Sequence, residues 1–257
     1  MGSLIKWLHE HGQGCSKRAM DYAAQFGHLD VVKWLHENRT EGCTTDAMDL
    51  AAKNGHLETV KWLAKNRREG SETACMLDHA FKITKAMNWA IIKGRLDIVK
   101  VLFKKFPPVR QMSWFEERGD FPMDLAAESG YIDVVKFLIE NKIRGFTIMA
   151  MDLAAKNGHL EMVIYLSKNI ARCSTNAMDG AAGNGHLEVV KWLSENRTEG
   201  CTTSAMDWAA KNGHLEVVKW LSENRVDGCT PFAILSAMEN GHLDIVEFLS
   251  GKKLKCF

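Results

Sequence analysis

Cysteine, histidine and a recurring aspartate are the residue types in this chain that could carry chemistry. There are seven cysteines and ten histidines in 257 residues. Thiolates serve as nucleophiles or metal ligands, imidazoles as bases or ligands, and an isolated carboxylate as a general acid. Six histidines, His28, His56, His159, His186, His214 and His242, each follow a glycine, once per repeating block. Five cysteines, Cys15, Cys43, Cys173, Cys201 and Cys229, share a second phase of the same block. Aspartates 49, 152, 179 and 207 share a third, in the tripeptide Ala-Met-Asp.

Regular recurrence decides what these residues can do. Glycines 27, 55, 94, 130, 158, 185, 213 and 241 are separated by 28, 39, 36, 28, 27, 28 and 28 residues. A period of this size means stacked units, none of which can bury its apolar face alone. Equivalent residues on stacked helices lie about 8–10 Å apart. Zinc needs its ligands near 2 Å from one centre, so the rings are expected to hydrogen-bond at helix starts. A disulfide needs Cα atoms within about 7 Å, so all seven thiols are expected free, as small apolar plugs. Free thiols suit a reducing compartment, cytoplasmic or nuclear, where the sequons at Asn38 and Asn196 are accidental. No nucleophile elbow, phosphate-binding glycine loop or Cys–His pair is present, so an enzyme is not expected. No metal or other cofactor is expected either.

Each block reads as two short helices. The first is expected to start at a capping Asp46, Asn176 or Ser204, with the aspartate three residues on complementing the helix start. Asp49–Lys53, Asp152–Lys156 and Asp207–Lys211 then form i, i+4 pairs on an exposed face. An alanine pair gives the helix a small apolar side, and glycine ends it. The second helix carries a Val-x-x-Leu stripe and an aromatic at one phase: Trp7, Trp34, Trp62, Phe137, Tyr165, Trp192, Trp220 and Phe248. That aromatic ladder is expected to be inter-unit core. Thr230-Pro231 gives the last unit a capped start with proline at its first position.

The stretch AMDLAAKNGHLEVVKWL, nearly whole at Ala47–Leu63 and Ala205–Leu221, resembles the ankyrin repeat, from Arg18 to about Ser250. It is similar to the short repeats expanded in some protists and large viruses, where Ala-Met-Asp replaces Pro-Leu-His. The family's β-hairpin fingers fall where this unit is shorter. The resemblance therefore implies an all-α, ankyrin-like solenoid of stacked helix pairs with reduced or absent fingers. Ser, Ala or His follows the last leucine of helix two (His36, Ala64, Ser167, Ser194, Ser222, Ser250), consistent with a lost finger leaving that position wet. We expect one array over 1–250, with a half repeat at 3–14 and repeats starting near 18, 46, 85, 121, 149, 176, 204 and 231. Insertions are expected at 71–84 and 106–120, and a polar tail at 251–257. The half repeat, with Leu4, Trp7 and Leu8 uncovered, is expected to fray or to meet another chain.

The resemblance also implies an intracellular scaffold or adaptor that binds a protein or peptide on its concave face. Positions before the alanine pair vary while the frame stays constant: Tyr22, Leu50, Trp89, Leu125, Leu153, Gly180, Trp208 and Ser236. Trp208, between Gly180 and Ser236, either lies flat over them or opens an apolar notch. A net charge of +1 gives no global field for nucleic acid or membrane. One segment is an exception. Residues 81–112 carry Lys82, Lys85, Lys93, Arg95, Lys100, Lys104, Lys105 and Arg110 against Asp97 alone. Candidate partner-binding residues are Trp89, Lys93, Arg95, Lys82, Lys85, Lys104, Lys105, Arg110 and Trp114 around this basic third repeat, with Trp208 and Tyr22. They suit an acidic or phosphorylated segment. Two other readings stay open: an electrostatic surface for nucleic acid or phosphorylated ligands, and a passive spacer in a longer array.

Overall fold

A computed structural model describes Trp7, His11 and residues 16–66, 85–106, 121–143, 145–169 and 172–251. It falls into two compact units, Met1–Pro122 and Met123–Phe257. The described residues form helices without a β-sheet. In the first unit these are α1 (Lys17–Gln25), α2 (Leu29–Asn38), α3 (Asp46–Asn54), α4 (Leu57–Asn66), α5 (85–92) and α6 (Leu96–Lys105). Next come α7 (Pro122–Glu128), α8 (Ile132–Glu140), α9 (Met149–Lys156), α10 (Leu160–Asn169), α11 (Asn176–Gly183) and α12 (Leu187–Asn196). The last four are α13 (Thr203–Lys211), α14 (Leu215–Asn224), α15 (Pro231–Glu239) and α16 (Leu243–Gly251).

Two rows run along each unit, one of first helices and one of second helices. In the second unit α9, α11, α13 and α15 pack in sequence, and α8, α10, α12, α14 and α16 form the other row. The first row is tight because its contact residues are small: Ala181, Ala182, Ala209 and Ala210 are fully buried. The second contributes a Val–Val pair and a leucine, as with Val189, Val190 and Leu193. A left-handed glycine separates the helices of a pair; Gly55 has φ +82° and stops α3 as its C-cap. Asparagine closes the second helix by donating its side-chain amide to the carbonyl four residues back, as Asn196 does to Trp192.

Several expectations are corrected at the level of side chains. The aromatic ladder is not core. Trp34, Trp62, Phe137, Tyr165, Trp192, Trp220 and Phe248 are all half-buried, because Ala and Val already fill the space between units. Trp7 is exposed and stacks on His11; Leu4 and Leu8 lie outside the described residues. The helix cap is not Asp46, Asn176 or Ser204 but the hydroxyl two residues earlier. Thr44, Ser174 and Thr202 accept from the backbone N–H of those three residues. Thr230 does the same for Phe232, with Pro231 at the first helical position.

Where the fingers would stand, the described connections are tight turns. Arg39 pairs with Glu41, Arg197 with Glu199 and Arg225 with Asp227. A positive-φ glycine follows (Gly42, Gly200, Gly228), then a buried cysteine (Cys43, Cys201, Cys229). The cysteines do more than plug. Cys201 Sγ donates to Asp227 of the next turn at 3.4 Å, and Glu199 stands near the Cys173 thiol. Burial raises both thiols, Cys173 to about 11 and Cys201 to about 12, and these neighbouring carboxylates add to the shift. Cys43, Cys173 and Cys201 remain thiols, but Cys229 is disulfide-bonded, against the expectation of seven free cysteines. The spacing argument covers only cysteines at one phase, and Cys201 has not joined Cys229.

Candidate interaction surface

Three devices hold the units in register and so position any surface they present. The first is the aspartate. Asp179 is buried; its Oδ1 accepts the Thr202 N–H and its Oδ2 the Thr202 hydroxyl, both at 2.8 Å. Asp21, Asp124, Asp152 and Asp207 make the same pair of bonds to Thr44, Thr147, Ser174 and Thr230. Asp152 and Asp207 therefore do not form the expected exposed pairs with Lys156 and Lys211. They point into the next unit, where they anchor the residue that caps its first helix. Burial raises the carboxyls of Asp124 and Asp179, opposed by these bonds.

The second device runs backwards. His56 Nε2 lies 2.9 Å from the Gln25 carbonyl at the end of the preceding first helix, and Asn54 donates to the same oxygen at 2.8 Å. His159 and Asn157 repeat this on Glu128. The rings therefore do not cap their own helices, as the sequence suggested; His186 and His214 head α12 and α14 without any side-chain cap. Each ring covers the preceding glycine so closely that a Cβ on Gly158 would lie 2.5 Å from His186 Nδ1. Burial, then the His214 and His159 rings, hold His186 below the usual range. The third device is the turn, with its Arg–acid pair and thiol–carboxylate bond.

In the first unit the joint between α3 and α5 departs from this scheme. Lys85 stands at the joint, its Nζ 3.6 Å from Asp49 Oδ2 and 3.8 Å from Asp46 Oδ1. Asp49 is buried, and burial pushes its carboxyl up to about 7, with Lys85 pulling the other way. Asn88 takes the aspartate's place; its Oδ1 is buried without a hydrogen bond, and Gln111, 23 residues on, lies outside the described residues. Arg95 takes the histidine's place, its guanidinium against Gly55.

The candidate residues are thus divided in role. Tyr22, Leu50 and Trp89 occupy one position on α1, α3 and α5, with Tyr22 55% exposed and Trp89 half-buried. Lys53 Nζ stands 4.2 Å from the Trp89 ring centroid, a cation–π contact. Lys93, Lys104 and Lys105 face solvent, whereas Lys85 is engaged with Asp46 and Asp49. Lys82, Arg110 and Trp114 lie outside the described residues, as do both expected insertions, 71–84 and 106–120, apart from Phe106. In the second unit, Trp208 is 44% exposed. It backs onto Gly183, while the stem of Lys156 fills the space over Gly180. Two residues on this surface were missed, Phe26 and Lys53. Both lie in the two positions before the glycine that ends the first helix.

Paired helices in two rows, joined by repeated inter-unit bonds, define a helical repeat scaffold, a class that works by presenting surface. The chain belongs to the ankyrin-repeat family. A model described as ankyrin repeats (3 copies) matches residues 48–152 and 180–256, and one described as ankyrin repeats (many copies) matches 3–36 and 20–64. Among solved structures, the human ASB11 ankyrin repeat domain is similar at a TM-score of 0.57 and 18% identity, over 78% of this chain and 96% of that one. That likeness is one of fold. No curated protein sequence matches. Ankyrin repeats are generally protein–protein interaction modules, typically without enzymatic activity.

Proposed function

We propose that the chain is an intracellular adaptor, cytoplasmic or nuclear, that holds an acidic or phosphorylated protein segment on the concave first-helix face at the basic third repeat. The observation that carries this is the row Tyr22, Leu50 and Trp89, variable side chains on a constant frame, beside Lys53 and Lys93. Aromatic and cationic groups on rigid helices are what interface hot spots are made of. Three described thiols favour a reducing compartment, and the Cys229 disulfide weighs against it. No catalytic role is proposed, and a nucleic-acid ligand is the weaker alternative, since the chain's net charge is only +1.

The probe is an acidic peptide with one central leucine, titrated against the full chain by fluorescence anisotropy at two salt concentrations. Binding should weaken with salt and fall in Lys93→Glu/Lys104→Glu/Lys105→Glu, with the melting temperature nearly unchanged. Arg95 is left out of the variant because it seats against Gly55. Unchanged affinity in the triple variant, with loss on Trp208→Ala, would move the site to the second unit.

A further inference from the structure

The last repeat departs from its predecessor at a set of positions on its outward side. Aligned on their glycines, Ser204, Asp207 and Ala210 of α13 correspond to Phe232, Leu235 and Met238 of α15. Lys211 and Lys219 correspond to Glu239 and Glu247. Three positions have become large and apolar, and two have changed from cation to anion.

Position in the stack gives these changes their meaning. Asp207 points away from α11 to bond Thr230 of the following unit, and Ala210 is fully buried there. α15 packs on α13 and α16 on α14. The corresponding residues of the last unit therefore face outward, with Leu235 58%, Met238 56% and Leu243 70% exposed. Phe232, Leu235 and Met238, at i, i+3 and i+6, run as one stripe along α15, and Leu243 adds to it from α16.

The charge around the stripe is equally specific. In α4, α12 and α14 the second helix neutralises itself by an i, i+3 pair, Glu58–Lys61, Glu188–Lys191 and Glu216–Lys219. In α16 the pair is Asp244 and Glu247, two like charges. Glu239 follows Met238 at the end of α15. These three carboxylates form no ion pair among the described residues, and 226–251 contains no Lys or Arg.

We propose that this end face docks an amphipathic helix of a partner protein, its apolar stripe bordered by Lys and Arg. Such a helix lies across α15 and α16 as a further unit would, covering Phe232, Leu235, Met238 and Leu243. Its cations meet Glu239, Asp244 and Glu247. Apolar contact holds the complex, and the unneutralised carboxylates select the partner's charge.

The test uses the full chain and two synthetic helices of about 18 residues, each with a leucine stripe, one flanked by lysines and the other by glutamates. By fluorescence anisotropy only the lysine helix should bind. Leu235→Asp and Glu247→Lys, each restoring the residue of the preceding unit, should weaken it by about tenfold or more. Leu235 is exposed and Glu247→Lys returns the neutralising pair to α16, so both variants should unfold at the wild-type midpoint. Lys93→Glu/Lys104→Glu/Lys105→Glu should bind this helix normally, which separates the end face from the acidic-peptide site. Equal binding of both helices, or affinity untouched by the two variants, overturns the proposal. So does sedimentation showing a wild-type dimer that Leu235→Asp dissociates, since the face would then belong to a second copy.

Discussion

Replacing Thr202 by valine removes one hydroxyl at the centre of the second unit and leaves the shape of the side chain almost unchanged. That hydroxyl donates to Asp179 Oδ2 at 2.8 Å and accepts the Ser204 N–H at 3.1 Å. A hydrogen bond to a charged group contributes about 1.5–3 kcal/mol, and loss of an N-cap costs about 1 kcal/mol. The expected destabilisation is therefore about 2–4 kcal/mol, read as a lower urea midpoint by circular dichroism and tryptophan fluorescence. The pH dependence distinguishes the clip from the cap. Asp179 has a folded-state pKa raised above 3.8 by burial, and the Thr202 bonds oppose that rise. A folded carboxyl that binds protons more tightly than the unfolded one contributes stability fully present below 3.8, which is lost as pH rises through the folded value. Valine takes away a lowering contact, so the folded pKa moves further up and the deficit grows with pH. The variant should lie closest to wild type near pH 4 and furthest from it above neutrality. A deficit equal at both ends, or below about 0.5 kcal/mol, would refute the assignment of Asp179 as an inter-unit anchor.

Asp49→Asn should stabilise the chain by about 1–3 kcal/mol at pH 8, with the gain vanishing towards pH 4, because the native carboxyl titrates near 7 in the folded state; urea midpoints at the two pH values check this. Gly158→Ala and Gly241→Ala share a left-handed backbone, but only the first meets a ring, 2.5 Å from His186, while the second has nothing within 4 Å. Gly241→Ala should cost about 1–2 kcal/mol and Gly158→Ala clearly more in equilibrium unfolding; equal costs would mean the histidine moves aside freely. Cys173 and Cys201, raised to about 11 and 12, should resist iodoacetamide at pH 8 in the folded protein and react once it is unfolded, as mass spectrometry would show.

The fold was legible because it is written repeatedly. Glycine at a fixed step, an alanine pair and a Val-x-x-Leu stripe recur, and each occurrence supports the others. What was not legible concerns partners in neighbouring units. Asp179 sits at the third residue after a helix start, and sequence alone reads it as serving its own helix; its partner Thr202 is 23 residues ahead. His56 reads as a helix-start residue, yet its ring acts 31 residues back, on Gln25. Spacing assigns a side chain to a face but does not say which neighbour meets that face. The aromatics were misplaced for a related reason. Their phase is that of the second helix, but Ala and Val leave no room between units for an indole, so the rings lie half-exposed along the flank. Cys229 shares its phase with Cys201, and a phase argument says nothing about a bond made outside the repeat register.

The third repeat is where these observations converge. Elsewhere a joint consists of an aspartate reaching forward to a hydroxyl and a histidine ring reaching back to a carbonyl. At this one Lys85 meets Asp49, Asn88 stands for the aspartate, and Arg95 stands for the histidine. Part of the basic run is therefore joint chemistry. Lys85 offsets two carboxylates, one of them buried, and Arg95 fills the space over Gly55. Charge reversal at either position would disturb the stack as well as any ligand. Among the described residues, the exposed lysines of the run away from that joint are Lys93, Lys100, Lys104 and Lys105, with Lys53 above the Trp89 ring. A segment bound there meets fewer charges than the sequence count implies, and meets the indole with a cation already on it. A carboxylate or phosphate can approach that ammonium while apolar groups reach the free part of the ring. The proposed binding of an acidic segment rests on that combination rather than on the net charge of the run.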